Sequence, residues 1–329
     1  MAKIIEKSSA LLLRVLAADS QSQRYLLRAI AIALLATSVP VVAAPAPMTL
    51  GGIIRTALPG CDSAAPVAGA NGAIYSSVSD CTVTGGPGRI STGWVKVDPV
   101  VGWVPSNLTA SGDGRKGRKI SSAIVEGSTL YLLERNLTTS GGMQIGRSAS
   151  IAQPSVTWIA SLDFGWGSFA QGSPDGYQYV YLRDAPTAYS TASRVDLVRV
   201  AKGSVTNLAA WQVFAGSPTA PSWVPWTNRA ARRAVISDPD RIYRQYVSYL
   251  SGCWTMAVTM PPLNYPTFRG DGLAVYTSLK PYGPWNRRYY VTGKDLGEGA
   301  QFSPLWPGRL LLTEGDRFTW RSYSMPSGC

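Results

Sequence analysis

Histidine is missing altogether from this 329-residue chain, and its absence closes off whole classes of chemistry. A Ser-His-Asp or Cys-His nucleophile needs an imidazole titrating near neutrality, and most zinc, copper and non-haem iron centres need imidazole ligands. Acidic residues are sparse too, 19 Asp and Glu against 31 Lys and Arg for a formal charge of +12. What is left for proton transfer is a small set of carboxylates with Tyr, Lys and Cys, and a carboxylate pair is the usual equipment of glycoside hydrolysis. The four cysteines lack the short paired spacing of a thiolate metal site. No metal ligand set and no organic cofactor is expected, although oxygen ligands alone would suffice for a structural Ca²⁺.

Long hydrophobic runs are equally scarce, with one exception. The stretch from Leu26 to Ala44, LLRAIAIALLATSVPVVAA, is almost wholly apolar, ends in small residues and follows Lys3, Lys7, Arg14, Arg24 and Arg28. It reads as the apolar region and cleavage site of a secretory signal peptide over residues 1–44. The other reading is an uncleaved anchor, the one route to membrane contact, but Pro40 interrupts a stretch already short for a span. An exported protein, periplasmic, cell-surface or extracellular, is the expectation. Export favours disulfides for the four cysteines. Three connectivities are open, with Cys61–Cys81 and Cys253–Cys329 preferred; the second would tie the last residue to the body of the fold.

Charged residues make up 15% and hydrophobic ones 45%, enough to bury a sizeable core in one large domain. The basic runs Arg115, Lys116, Arg118, Lys119 and Arg229, Arg232, Arg233 carry no accompanying nucleic-acid motif, so solvated turns are expected and nucleic acid is not a predicted partner. Past about Pro47 helical periodicity is lacking. Short apolar or alternating runs stand between Gly, Pro, Asp and Asn, fifteen of them, among them 121–125, 130–134, 177–183, 194–200 and 254–260. So many short strands exceed one sandwich and suit radial repetition, in which each blade is an antiparallel sheet of about four strands. The expected fold is all-β, a five-bladed β-propeller over 56–329, preceded by a tether over 45–55, and monomeric.

Among the acids, Asp62 and Asp80 stand out, each beside a cysteine in CDSAAP and VSDC. A Cys61–Cys81 bond would hold both carboxyls near the separation that glycosidases use, although an Asp at a turn is ordinarily a turn former. Asp184 ends the aromatic strand YQYVYLRD and could face the mouth of a channel; Glu134 ends YLLERN. Trp166 is one of several indoles able to offer a sugar an apolar face, though most Trp residues pack cores. In DPDRIYRQYVSY, Arg241, Tyr243 and Arg244 bring planar cationic donors to an aromatic strand. Asp184, Tyr243, Arg244, Trp166 and Arg241 are the candidate substrate contacts.

The succession GRKISSAIVEGSTLYLLERN (117–136), FGWGSFAQG (164–172), YVYLRDAPTAY (179–189), RVDLVRV (194–200), DPDRIYRQYVSY (238–249) and GLAVYTSLKPYGPW (272–285) resembles exported bacterial proteins similar to five-bladed propeller glycoside hydrolases, a group that includes endo-D-arabinanases. The resemblance runs in order over about 62–306, and KPYGPW is its most specific piece. It implies a catalytic carboxylate pair, one acid in the first propeller strand and a second about one hairpin later, positions that fall on Asp62 and Asp80. Where the group places a Trp around the first Asp and a Gly after the second, this chain has Ser63-Ala64-Ala65 and Cys81. The expectation is an exported hydrolase of a wall or extracellular polysaccharide, arabinan-type favoured and endo-acting. The alternative is a non-catalytic glycan-binding surface propeller.

Overall fold

Runs of β-branched and aromatic residues separated by Gly-containing turns fold into strands β1–β23 in the computed structural model of the chain. It describes residues 47–329 apart from 60–62, 70–71, 84–87, 99–101, 104–108, 111–117, 137–141, 186, 188–189, 261–269, 298, 315–316 and 326–328. All of these belong to the compact unit Pro45–Cys329; the expected secretory segment 1–44 lies outside the described residues.

Strand β1 (Thr49–Pro59) is followed by five antiparallel sheets taken up in chain order. The first blade holds β2 (Ser63–Ala68), β3 (Ile74–Val83), β4 (Gly88–Asp98), β5 (Gly102–Trp103) and β6 (Thr109–Ala110). The second holds β7 (Arg118–Glu126), β8 (Thr129–Asn136), β9 (Met143–Ser148) and β10 (Thr157–Leu162). The third is the largest: β11 (Trp166–Phe169), β12 (Tyr177–Arg183), β13 (Ala192–Ala201), β14 (Gln212–Phe214), β15 (Trp223–Pro225), with β16 (Ala234–Ile242) on β13. The fourth runs β17 (Arg244–Leu250), β18 (Cys253–Met260), β19 (Gly270–Ser278) and β20 (Asn286–Gly297). The fifth holds β21 (Ala300–Phe302), β22 (Arg309–Glu314) and β23 (Arg317–Ser324), with β1 as its outer strand.

The fold is a five-bladed β-propeller, closed by main-chain pairing of β1 with β23, Thr49 opposite Ser324 and Pro59 opposite Arg317. The stretch expected as a tether over 45–55 is therefore corrected: from Thr49 onward it is the outer strand of the last blade. Its apolar TLGGIIRTALP sequence supplies a strand that the last three strands of the chain lack. The Cys253–Cys329 disulfide, Cα atoms 5.7 Å apart, fastens the chain end to the fourth blade and so reinforces a ring that hydrogen bonds already close.

Each blade is sandwiched between two others, so the period-2 alternation of a strand sends apolar side chains both ways. In β12, Tyr179 and Tyr181 pack with Met256 and Val258 of the fourth blade, while Val180 and Leu182 pack with Leu133 and Ile145 of the second. The run YVYL is continuous rather than alternating because both faces are buried. Similar cores join first to second blade through Trp94 and Leu132, and fourth to fifth through Val275 and Phe302.

The first strands of successive blades touch, β2 on β7, β7 on β11, β11 on β17 and β17 on β21, which puts them around the axis. Small polar side chains stitch them. Ser121 Oγ donates to Gly167 O at 2.9 Å, Gln171 Nε2 to Ala123 O at 2.6 Å, and Ser248 Oγ to Phe302 O at 2.6 Å. Gln171 and Ser248 form a parallel bridge, so β11 and β17 start at the same end of the ring. Ser251 and Gly252, with φ of 49° and 86°, make the tight β17–β18 hairpin turn.

Candidate functional site

The end of the ring where first strands begin and second strands finish gathers cations and aromatics. Trp166 opens β11 and lies opposite Arg183, the last residue of β12. Arg244 opens β17 directly after Tyr243, and Arg135 stands next to last in β8, opposite Lys119. Arg135, Arg183 and Arg244 are each fully buried, as is Trp166, and Tyr243 is 2% exposed.

The strand period explains how cations come to be there. Arg183 continues the face of Tyr179 and Tyr181, and Arg135 continues the face of Leu133, each two residues past a buried position. The guanidinium carbons of Arg135 and Arg244, from the second and fourth blades, both lie 4.7 Å from the Trp166 ring centroid in the third. Those of Arg244 and Arg183 lie 5.0 and 5.7 Å from the Tyr243 ring. Tyr246 meets the indole edge-on at 5.8 Å. Electron-rich ring faces attract cations most strongly where water is excluded.

Two close approaches fix the arrangement. Arg183 Nη2 donates to Thr187 O at 3.0 Å, and Gly165 N donates to Ala185 O at 2.8 Å. A Cβ on Gly165 would run into the Thr187 backbone, so glycine just before Trp166 lets the segment after β12 fold back over β11. Burial, then the like charges of Arg244 and Arg135, pushes the Arg183 guanidinium down to about 9. Trp166 Nε1 and Tyr243 Oη, both deeply buried, have no hydrogen-bond partner among the described residues. Most of the polar side chains gathered at this end are donors, and the Tyr243 and Tyr246 phenols can also accept.

One residue beyond Arg183 the chain turns outward. Asp184 is 41% exposed and takes Arg194 Nε at 3.0 Å and Arg232 Nη2 at 3.3 Å. The same guanidiniums reach the buried Asp196 carboxylate, Arg232 at 2.7 Å and Arg194 at 3.4 Å, while Arg229 pairs with Asp163 at 3.0 Å. Burial lifts the Asp196 carboxyl above its ordinary value despite these two cations.

Of the residues singled out from sequence, Trp166, Tyr243 and Arg244 come together at the axis, and Asp184 sits in the peripheral ion-pair network. Asp80 lies in β3, one residue past the Ser63–Ser79 pair at the outset of β2, hence at the same end of the ring. Its side chain, those of Cys81 and Arg241, and the whole of Cys61 and Asp62 lie outside the described residues. Arg135 and Arg183 escaped sequence reading; the available signal was a cation placed in step with the buried positions of LLERN and YVYLRD. No group of three or more Cys, Asp or Glu among the described residues is arranged to hold a metal ion.

No protein-family model matches the chain, and no curated protein matches it. Among solved structures, the chain is similar to a candidate hydrolase from Bacteroides ovatus, with a TM-score of 0.51, 15% identity, and coverage of 82% of this chain and 87% of that one. A glycoside hydrolase family 43 enzyme from Xanthomonas citri gives 0.48 and 12%, covering 85% and 91%. A family 43 β-xylosidase/α-arabinofuranosidase from a compost metagenome gives 0.49 and 13%, covering 84% and 95%. At such identities the likeness is one of fold.

Proposed function

We propose that the chain is an exported glycoside hydrolase of wall or extracellular polysaccharides, arabinan-type favoured, whose site is the axial end of the propeller. The observation that carries this reading is positional. Asp80, singled out from sequence with Asp62, lies on β3 at the ring end where Trp166, Tyr243 and the three buried guanidiniums converge. Asp62 and Asp80 form the carboxylate pair: one donates a proton to the leaving oxygen while the other attacks the anomeric carbon or activates water. A carboxylate beside the guanidiniums is held ionised, as a nucleophile or base must be, so the proton donor is the one farther from them.

Release of reducing ends from arabinan and other wall polysaccharides tests the reading. The wild-type protein is expected to release them, and Asp62→Asn and Asp80→Asn each to lose about 10²–10⁴-fold. The donor-rich character of the described cluster favours a second reading, a glycan-binding propeller without catalysis. Binding with no release from any polymer would establish that reading and overturn the first.

A further inference from the structure

We propose that the flank between the third and fourth blades is a second glycan-binding site, one that holds neutral polysaccharide without cleaving it. The inference goes beyond the axial site and rests only on the reading of the protein as glycan-active. The core joining these two blades has an aromatic margin: apart from Val235, its partly buried members are all Tyr or Trp. The margin of the second-to-third core is Leu208 and Trp226, and that of the fourth-to-fifth mixes tyrosines with Leu50, Leu250, Val291 and Met325. Trp223 lies in β15, at the outer end of its sheet path. Strand spacings of about 4.8 Å put it about 19 Å out from β11 and the axis.

Tyr177 and Trp223 flank Arg199, whose guanidinium carbon lies 4.3 and 4.1 Å from their ring centroids. The strand period gathers them on one face. Arg199 stands opposite Tyr179 in β12 and Gln212 in β14, and Tyr177 precedes Tyr179 by two positions. Arg199 Nε donates to Gln212 Oε1 at 2.8 Å, and its terminal nitrogens have no hydrogen-bond or carboxylate partner among the described residues. Arg194 and Arg232, by contrast, are each taken up by two carboxylates. From the fourth blade, Tyr282 stacks at 8° on the buried Phe214 and keeps partial exposure. The KPYGPW segment fixes it in place: Tyr181 Oη donates to Pro281 O at 2.7 Å, and Gly283, with φ of 95°, lies where a Cβ would come within 2.9 Å of Trp285 Cδ1. A neutral sugar presents apolar C–H faces edged by hydroxyls that donate and accept. Partly exposed rings edged by an indole N–H, phenol hydroxyls and guanidinium N–H groups match both features, and a preformed surface loses little entropy on binding.

Capture and cleavage of polymer test the proposal separately. Hydroxyl-radical footprinting of the wild-type protein is expected to show Trp223 and Tyr282 protected by soluble arabinan, with xylan as the second neutral polymer. In the Asp80→Asn protein, where cleavage does not intrude, Trp223→Ala and Arg199→Gln should each weaken arabinan binding about 10-fold. That binding should persist at about 0.5 M salt, where charge-driven capture by a basic protein is screened. With Asp80 intact, the same variants should raise KM for arabinan by about 5–10-fold and leave kcat level. Turnover of an arabinofuranose trimer, too short to engage both sites, should not change.

Footprints at Trp223 and Tyr282 unchanged by arabinan and by xylan would overturn the proposal, and that measurement needs no variant to fold. So would arabinan affinity unaltered in both variants, or binding abolished by salt. Trimer turnover lost in step with polymer turnover would overturn it as well, because the variants would then act on the axial site through the fold. Failure of the hydrolase reading looks different: polymer bound, Trp223 and Tyr282 protected, and nothing cleaved.

Discussion

Arg183 and Asp184 are neighbours in sequence and opposites in setting. Arg183 turns to the axis, where it shares the Tyr243 ring with Arg244 and is pushed down to about 9 by burial and by the charges of Arg244 and Arg135. Asp184 turns to the periphery, where each of Arg194 and Arg232 reaches both it and Asp196. In the peripheral network the arrangement satisfies its own charges, so structure alone accounts for it. At the axis like charges are brought close together out of water, and perturbed ionisation of that kind is characteristic of functional sites.

The largest expected effect separates function from stability at the axis. Arg183→Met should cut glycan affinity or turnover by about 30-fold or more, while the melting temperature stays level or rises. The sign follows from linkage. A cation whose folded-state value is lowered binds its proton less well in the fold, so carrying the charge at neutral pH costs stability. A parallel fall in melting temperature would break the comparison.

Next in size is the peripheral counterpart. Arg232→Met leaves the buried Asp196 carboxylate with Arg194 alone and should cost about 1–3 kcal/mol by denaturant unfolding, with glycan binding unchanged. Asp184→Asn, half-exposed, should cost less than about 1 kcal/mol. Smallest is the pH dependence of Asp196. A carboxyl raised by burial contributes stability that is fully present below its ordinary range and is lost as pH climbs through the raised value. Asp196→Asn should therefore flatten the unfolding midpoint across that window.

A separate check concerns the ring. Cys253→Ser opens a bond spanning 76 residues and should cost about 2–4 kcal/mol. Because β1–β23 pairing closes the propeller independently, strand content by circular dichroism should survive.

Much of the fold was legible because its rules are local. The run YVYL announces a strand buried on both faces, and the expected 177–183 matches β12 residue for residue. Strand abundance and length led to five blades through the arithmetic of radial packing. The role of 49–55 as a closing strand was not legible, since nothing in TLGGIIRTALP names a partner at the far end of the chain. The axial site was half legible. Trp166, Tyr243 and Arg244 stood out as aromatic or cationic residues at strand starts, whereas Arg135 and Arg183 looked like ordinary strand ends.

By itself, then, the sequence determined the available chemistry, with no imidazole, few carboxylates and many guanidiniums. It also determined the strand periods, because alternation is a property of adjacent residues. Only the tertiary structure decided which cations meet. Arg135, Arg183 and Arg244 are separated by 48 and 61 positions and converge because closing five sheets into a ring brings equivalent strand ends to one axis. Proximity of that kind is set by closure geometry, which no local pattern records.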